Sequence, residues 1–295
     1  MAKTQEATTP KTVAEQADPK TGELAVKDST GALSTEVGEI DFAADAGAGL
    51  EGTQKDDYAI PFLAILQGLS PQVVDGLEGA RPGLIMDSID LTFSDRVVVV
   101  PCAFARRFIE WAPRNKGGGF RGEHLPLDVE SGKIGEEYVD TKSGMKRLGV
   151  KVTDKDGATY FNELKDTRSH YVLLVKPDGT FKPCVISFSS TQVKKSKRWL
   201  ALISGTQLRN AAGAIYTPPS YAMMYEMSAV KEQNDQGSWF GWSMGKLGAV
   251  RQRDMYDAAK AFNALVTSGQ VKTSYEQEGD VVSEAGGSEQ RGSSF

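Results

Sequence analysis

Three stretches of this 295-residue sequence interleave cations with aromatic rings. The first, FARRFIEWAPRNKGGGFRGEH, sets Arg106, Arg107, Arg114, Lys116 and Arg121 among Phe104, Phe108, Trp111 and Phe120. The second, KKSKRW, puts Lys194, Lys195, Lys197 and Arg198 beside Trp199. The third, WFGWSMGKLGAVRQR, joins Trp239, Phe240 and Trp242 to Lys246, Arg251 and Arg253. Single-stranded nucleic acid asks for this pairing, because unpaired bases stack on aromatic faces at about 1–3 kcal/mol each while phosphates take Lys or Arg along a groove. Arg106, Arg107, Arg114, Lys116, Arg121, Lys194, Lys195, Lys197 and Arg198, with Trp111, Phe120, Trp199, Trp239 and Trp242, are therefore the predicted nucleic-acid contacts. Burial competes for the same rings: on a strand Phe108 and Trp111 fall on opposite faces unless a bulge intervenes, and Trp199 fits the apolar face of a helix equally well.

Catalytic chemistry finds little support in the residue types. There are only two histidines, His124 and His170, and no HExxH, paired CxxC, GxSxG or P-loop occurs. Gly117-Gly118-Gly119 lacks the GK[ST] ending and following helix of a phosphate cradle. Glu110, Glu123 and His124 offer one imidazole and no ligand spacing. The sequence thus predicts no catalytic residue, no metal and no cofactor.

Charge is unevenly distributed. The net charge is −5, but residues 1–57 carry −7 and residues 272–295 carry −3, which leaves +5 on the segment between them. An acidic whole chain therefore conceals a basic middle, and a flexible acidic end could occupy a cationic groove until nucleic acid displaces it. In that scheme Phe295 anchors a protein partner. No apolar run reaches the roughly 20 residues that span a bilayer, and the N-terminus lacks a secretory hydrophobic core, so no membrane is expected. Cys102 and Cys184 lie in apolar strand-like runs and are expected as buried free thiols.

The elements that must position these groups follow from periodicity. Residues 1–57 and 272–295 read as disordered acidic arms, and 58–271 as a single α+β nucleic-acid-binding domain. DYAIPFLAILQGL predicts a short helix ended by Ser70-Pro71. GLIMDSIDLTF and RVVVVPCAFARRFIEW predict strands, and Ala112 to about Gly157 a long loop or loose hairpin. HYVLLVK and TFKPCVISF form a hairpin about Pro177-Asp178-Gly179, and STQVKKSKRWLALI a helix capped by Ser189 or Ser190. YAMMYEMSAV and SWFGWSM are strands, and DMYDAAKAFNALVTS a helix ended at Gly269. About six strands, mainly antiparallel, with three helices suggest an OB-like, partly open barrel.

The strings IPFLAILQGLSPQV, VVVVPCAFARRFIEWAPRNKGGGFRGEH, STQVKKSKRW and GSWFGW resemble those of replication-associated proteins of tailed bacteriophages, some described as single-stranded DNA-binding proteins. The resemblance spans roughly residues 58–245. It implies sequence-tolerant binding of single-stranded DNA in phage replication or recombination, action in the host cytoplasm, and phage replication or recombination proteins as partners. A structural or assembly protein of the phage particle is the alternative, since interfaces also favour Trp, Tyr and Arg. Oligomeric state is not encoded in these patterns.

Overall fold

The computed structural model describes residues 44–53, 58–141, 143–235, 237–271, 273 and 275. Residues 44–51, a unit of their own, run through successive turns. From there the elements are β1 (Leu63–Ile65), α1 (Pro71–Val74), β2 (Ile85–Asp87), β3 (Phe93–Ser94) and β4 (Arg96–Trp111). Next come β5 (Phe120–His124), α2 (Pro126–Glu130), β6 (Glu136–Val139), β7 (Lys146–Thr153), β8 (Thr159–Val175) and β9 (Phe181–Ser189). The chain continues through α3 (Val193–Ser204), β10 (Leu208–Arg209), β11 (Ile215–Tyr216), β12 (Met223–Asn234), β13 (Gly237–Ala249) and α4 (Arg253–Thr267).

The architecture is α+β and mainly antiparallel, built on a two-stranded ribbon of β4 and β8 that pair from Val98↔Val175 to Trp111↔Glu163. Each strand is long enough to take two partners on its outer edge. β4 pairs with β12 near its start and with β5 at its end, while β8 pairs with β9 over Thr167–Val175 and with β7 over Thr159–Glu163. One half of the ribbon therefore curls into a half-barrel, β9-β8-β4-β12-β13, in which β12 returns beside β4 as in a Greek key. The other half, with β5, β6, β7 and α2, projects as a wing.

Apolar alternation builds the barrel. Val99, Val172, Leu174, Cys184, Ile186 and Tyr225 turn inward with Trp199 of α3 and Trp242 of β13. Val100, Cys102, Tyr171, Leu173 and Val185, one residue out of phase, turn outward beneath Met255, Ala259 and Phe262 of α4. The run VVVVPC reads as continuously apolar because both its faces are covered. Pro101 is tolerated in this central strand because Cys102 is an extra residue, a bulge between the pairs Pro101↔Val172 and Ala103↔Tyr171. The carbonyl of Cys102 accepts hydrogen bonds from Asn263 Nδ2 (2.8 Å) and Ser220 Oγ (3.2 Å) instead of from a strand. Both cysteines are buried free thiols, and since one faces the barrel interior and the other the α4 layer, the sheet itself keeps them apart.

The open side of the barrel is bridged. Phe62 forms a parallel bridge to Val185 of β9, and the amide of Gln67, just past β1, both donates to the Phe240 carbonyl (2.9 Å) and accepts from its N–H (2.8 Å) on β13. The expected helix before Ser70 is thus a strand. Phe62, Leu63, Ala64, Ile65 and Leu66 are all buried, so this stretch is a strand covered on both faces, and its apolar run mimics one side of a helix.

Other expectations are corrected by the same long ribbon. Residues 112–157, expected as a long loop or loose hairpin, hold β5, α2, β6 and all of β7, with β6 and β7 forming a hairpin, and HYVLLV is the end of a 17-residue strand. Thirteen strands and four α-helices occur among the described residues. α3 starts after a 3₁₀ turn at Ser190–Gln192, and neither Ser189 nor Ser190 caps it through its side chain. The β8–β9 hairpin and the end of α4 at Gly269 (φ 74°) match expectation. Thr273 and Tyr275, in the segment read as tail, are docked: Tyr275 is buried and its hydroxyl shares a hydrogen bond with Ser169 Oγ (2.9 Å).

Candidate nucleic-acid interface

Strand alternation divides the first basic-aromatic stretch between two faces. Arg106 lies on one face of β4, where it grips Asp166 with two hydrogen bonds of 2.9 Å and Glu130 of α2 with one of 2.8 Å. The Asp166 hydrogen bonds raise its pKa further, and the guanidinium also sits 5.4 Å from the Phe108 ring centroid. Its charge is spent on holding α2 and the wing to the ribbon. Arg107 and Trp111 lie on the opposite face, with Arg107 donating to the Arg106 carbonyl (2.9 Å).

Trp111 meets Phe120 edge to face at 6.3 Å, and Phe120 stacks on Tyr275 at 5.9 Å, so the predicted ring pair is half-buried and supports the C-terminal segment. Lys116 reaches Asp154 in the β7–β8 turn (2.7 Å) and lies 5.3 Å from the Tyr160 ring centroid. Arg114 and Arg121 are exposed, the latter donating to the Gly118 carbonyl (3.2 Å).

The second and third stretches converge on Glu232 of β12. Its carboxylate accepts from Lys195 Nζ (2.5 Å), Trp239 Nε1 (3.0 Å) and Gln192 Nε2 (3.3 Å). Burial works against ionisation there, but the hydrogen bonds from Lys195 and Gln192 win and hold the carboxyl below the usual range. Gly241 makes room for this hub, since a Cβ there would lie 2.6 Å from Glu232 Oε2 and 2.8 Å from Gln192 Nε2. Trp239 stays half-buried beside it.

Trp199 and Trp242 are sealed in the barrel, at 0% and 4% exposure, and present no ring face to a ligand; Trp199 instead stacks on His170 at 4.5 Å. Lys194, Lys197 and Arg198 stand on the outer side of α3, exposed and without an ion pair to any described residue. Phe295 lies outside the described residues.

A groove opens between β7 and the start of α3. Between the last residue paired with β7 (Glu163) and the first paired with β9 (Thr167), β8 leaves Leu164, Lys165 and Asp166 without a strand on that edge. The opening is lined by Lys146 and Arg147 of β7, Lys165 of β8, and Ser190 and Val193 at the start of α3. Its two carboxylates are already matched, Glu163 by Arg147 (2.6 Å) and Asp166 by Arg106. The adjacent pair Lys146-Arg147 and the single Lys165 lie apart in the sequence and outside the three basic-aromatic stretches, and only the register of a long ribbon brings them to one opening.

Over residues 31–272 the sequence matches the family model described as the Pam3 phage gp34-like protein. The chain belongs to the Pam3 phage gp34-like family. It is therefore a phage protein by family, and the match takes in the barrel, the wing and all four helices while reaching back into the segment read as an N-terminal arm. No match was found among curated proteins or among solved structures. Among the described residues of this Pam3 phage gp34-like chain, no group of three His, Cys, Asp or Glu is placed to hold a metal ion, and no helix is long and apolar enough to cross a membrane.

Proposed function

We propose that this protein binds single-stranded DNA without sequence preference, lodging it in the groove that crosses the β8 gap between α3 and the wing. The reading is non-enzymatic and belongs to phage DNA replication or recombination in the host cytoplasm. One observation carries it: the groove brings Lys146, Arg147 and Lys165 to the start of α3, the helix that bears the exposed Lys194, Lys197 and Arg198. Phosphates spaced along a strand need such a track, and each contact releases counterions.

The barrel supports the same reading. We read the five strands in Greek-key order, left partly open between β9 and β13, as an OB-type barrel, whose second and third strands and flanking loops receive oligonucleotides. Here those strands are β8 and β9, and the loop joining the first two strands has grown into the wing. The rings left half-exposed for a base are Trp111 and Trp239, whereas Trp199 and Trp242 are sealed.

Fluorescence anisotropy of a labelled oligothymidylate, compared with a duplex of equal length at two salt concentrations, tests the proposal. Binding of the single strand in preference to the duplex, weakened by salt, is expected. No anisotropy change for the single strand at low salt removes it.

A further inference from the structure

A second aromatic feature lies on the wing, outside the three basic-aromatic stretches. Tyr138 of β6 and Phe161 of β8 stack with ring centroids 4.4 Å apart and parallel planes. They stand on strands separated by β7, where the registers Tyr138↔Arg147, Gly149↔Glu163 and Lys151↔Phe161 put all three cross-strand pairs on one face. Their rings meet by leaning across Gly149. A Cβ at that position would lie 2.7 Å from Tyr138 Cε1 and 2.6 Å from the Asn162 carbonyl oxygen, so only glycine lets the two rings close over the strand.

The stack is built from half-buried residues and is flanked on β7 by Arg147 on one side and exposed Lys151 on the other. Arg147 also lines the groove, so the ring pair and the groove share a wall. Parallel rings left half-exposed are a surface on which a further flat π-system stacks, and Lys151 beside them suits a phosphate that leads to it.

Resting on the reading of the groove as a single-strand site, we infer that Tyr138 and Phe161 form a base-stacking platform, on which one unpaired base of the bound strand continues the existing ring stack. Lys151 then holds an adjoining phosphate, and Arg147, paired with Glu163 (2.6 Å) and Asp140 (3.0 Å), borders the stack. Aromatic rings across a strand glycine also stabilise a thin sheet, so the test separates ligand stacking from sheet support.

The experiment is a cycle that crosses ring removal with base removal. Full-length wild type and the double variant Tyr138→Leu/Phe161→Leu are each titrated with an oligothymidylate and with an abasic strand of the same length, at one low salt concentration. Loss of the rings is expected to weaken binding of the oligothymidylate about tenfold, the lower range of one base stack, and to leave affinity for the abasic strand unchanged.

A variant that loses affinity equally for both strands, or for neither, overturns the platform. Because the wing could loosen in the variant, the wild type is also titrated with a strand carrying single 2-aminopurine substitutions. Stacking quenches this base, and absence of quenching at every substituted position overturns the inference without any mutation. If the wild type binds neither strand, the groove reading itself has failed; if it binds both strands and only the cycle shows no coupling, the groove stands and the platform does not.

Discussion

His170 carries a pH dependence that its neighbours dictate. It is almost wholly buried, stacked on Trp199, touched edge-on by Phe104 and Phe188 at 5.1 Å, and hydrogen-bonded through Nε2 to Ser196 Oγ at 2.8 Å. Burial, with Arg168 adding a like charge, pushes its pKa down to about 3. The unfolded chain takes up this proton near pH 6.5, so between 6.5 and 3 the unfolded state holds one proton more than the native state and stability falls as pH falls. Above that window both states carry a neutral ring and the residue adds no slope. Urea denaturation at several pH values should show His170→Asn with a lower stability but a shallower acid decline, by up to about 1.4 kcal/mol per pH unit; parallel curves would refute this. Glu232 belongs to the same scale. Glu232→Ala strands Lys195 and the Trp239 indole, with an expected loss of about 1–3 kcal/mol and a red shift of tryptophan emission as Trp239 is released, both read in one fluorescence melt. The residue types of the site were legible in the sequence, but their partners were not: adjacent Arg106 and Arg107 look alike as letters, and only strand alternation sends one to Asp166 and Glu130 and the other to the far face.

The edge of β13 shows what elements add to residues. An exposed strand edge of this length invites pairing with another chain, and here the Gln67 side chain imitates a neighbouring strand at Phe240 while Gln192 Oε1 accepts from the Trp242 N–H at 3.0 Å. Gln67→Ala should therefore cost about 1–3 kcal/mol in thermal or urea unfolding and raise light scattering on heating, because the freed edge recruits a second copy. Unchanged stability and scattering would mean that the bridge from β1 to β13 is incidental. The strands and helices with strong local signals were legible: RVVVVPCAFARRFIEW coincides with β4, and the Pro177-Asp178-Gly179 turn joins β8 to β9. Two classes of element escaped. β1 is too short and too thoroughly buried for its period to show, and β5, β6 and β7 carry few apolar residues because their outer face is polar and Gly149 and Gly122 interrupt them.

At the scale of the whole molecule the question is which cations remain available once the fold has consumed its share. The basic excess of the middle segment was visible in the sequence, yet the fold commits Arg106, Lys116, Arg147, Lys182 and Lys195 to carboxylates. Among the described residues the α3 row stays exposed and outside any ion pair, and the distinction can be measured. Replacing Lys194, Lys197 and Arg198 together by Ala removes three exposed charges and no ion pair, so the melting temperature should hardly move. In the same variant the salt dependence of single-strand binding should shrink, with the log–log slope falling by about 2, from roughly 0.7 per phosphate contact on a single strand. Arg106→Met should do the reverse: it leaves Asp166 and Glu130 without their cation, destabilises the wing by about 1–3 kcal/mol, and leaves the salt slope as it was. Titrations at four salt concentrations with wild type and both variants give all three slopes. If the α3 variant keeps the wild-type slope while Arg106→Met loses it, the strand runs along the α2 side of the ribbon and the α3 row is only a solvated helix face.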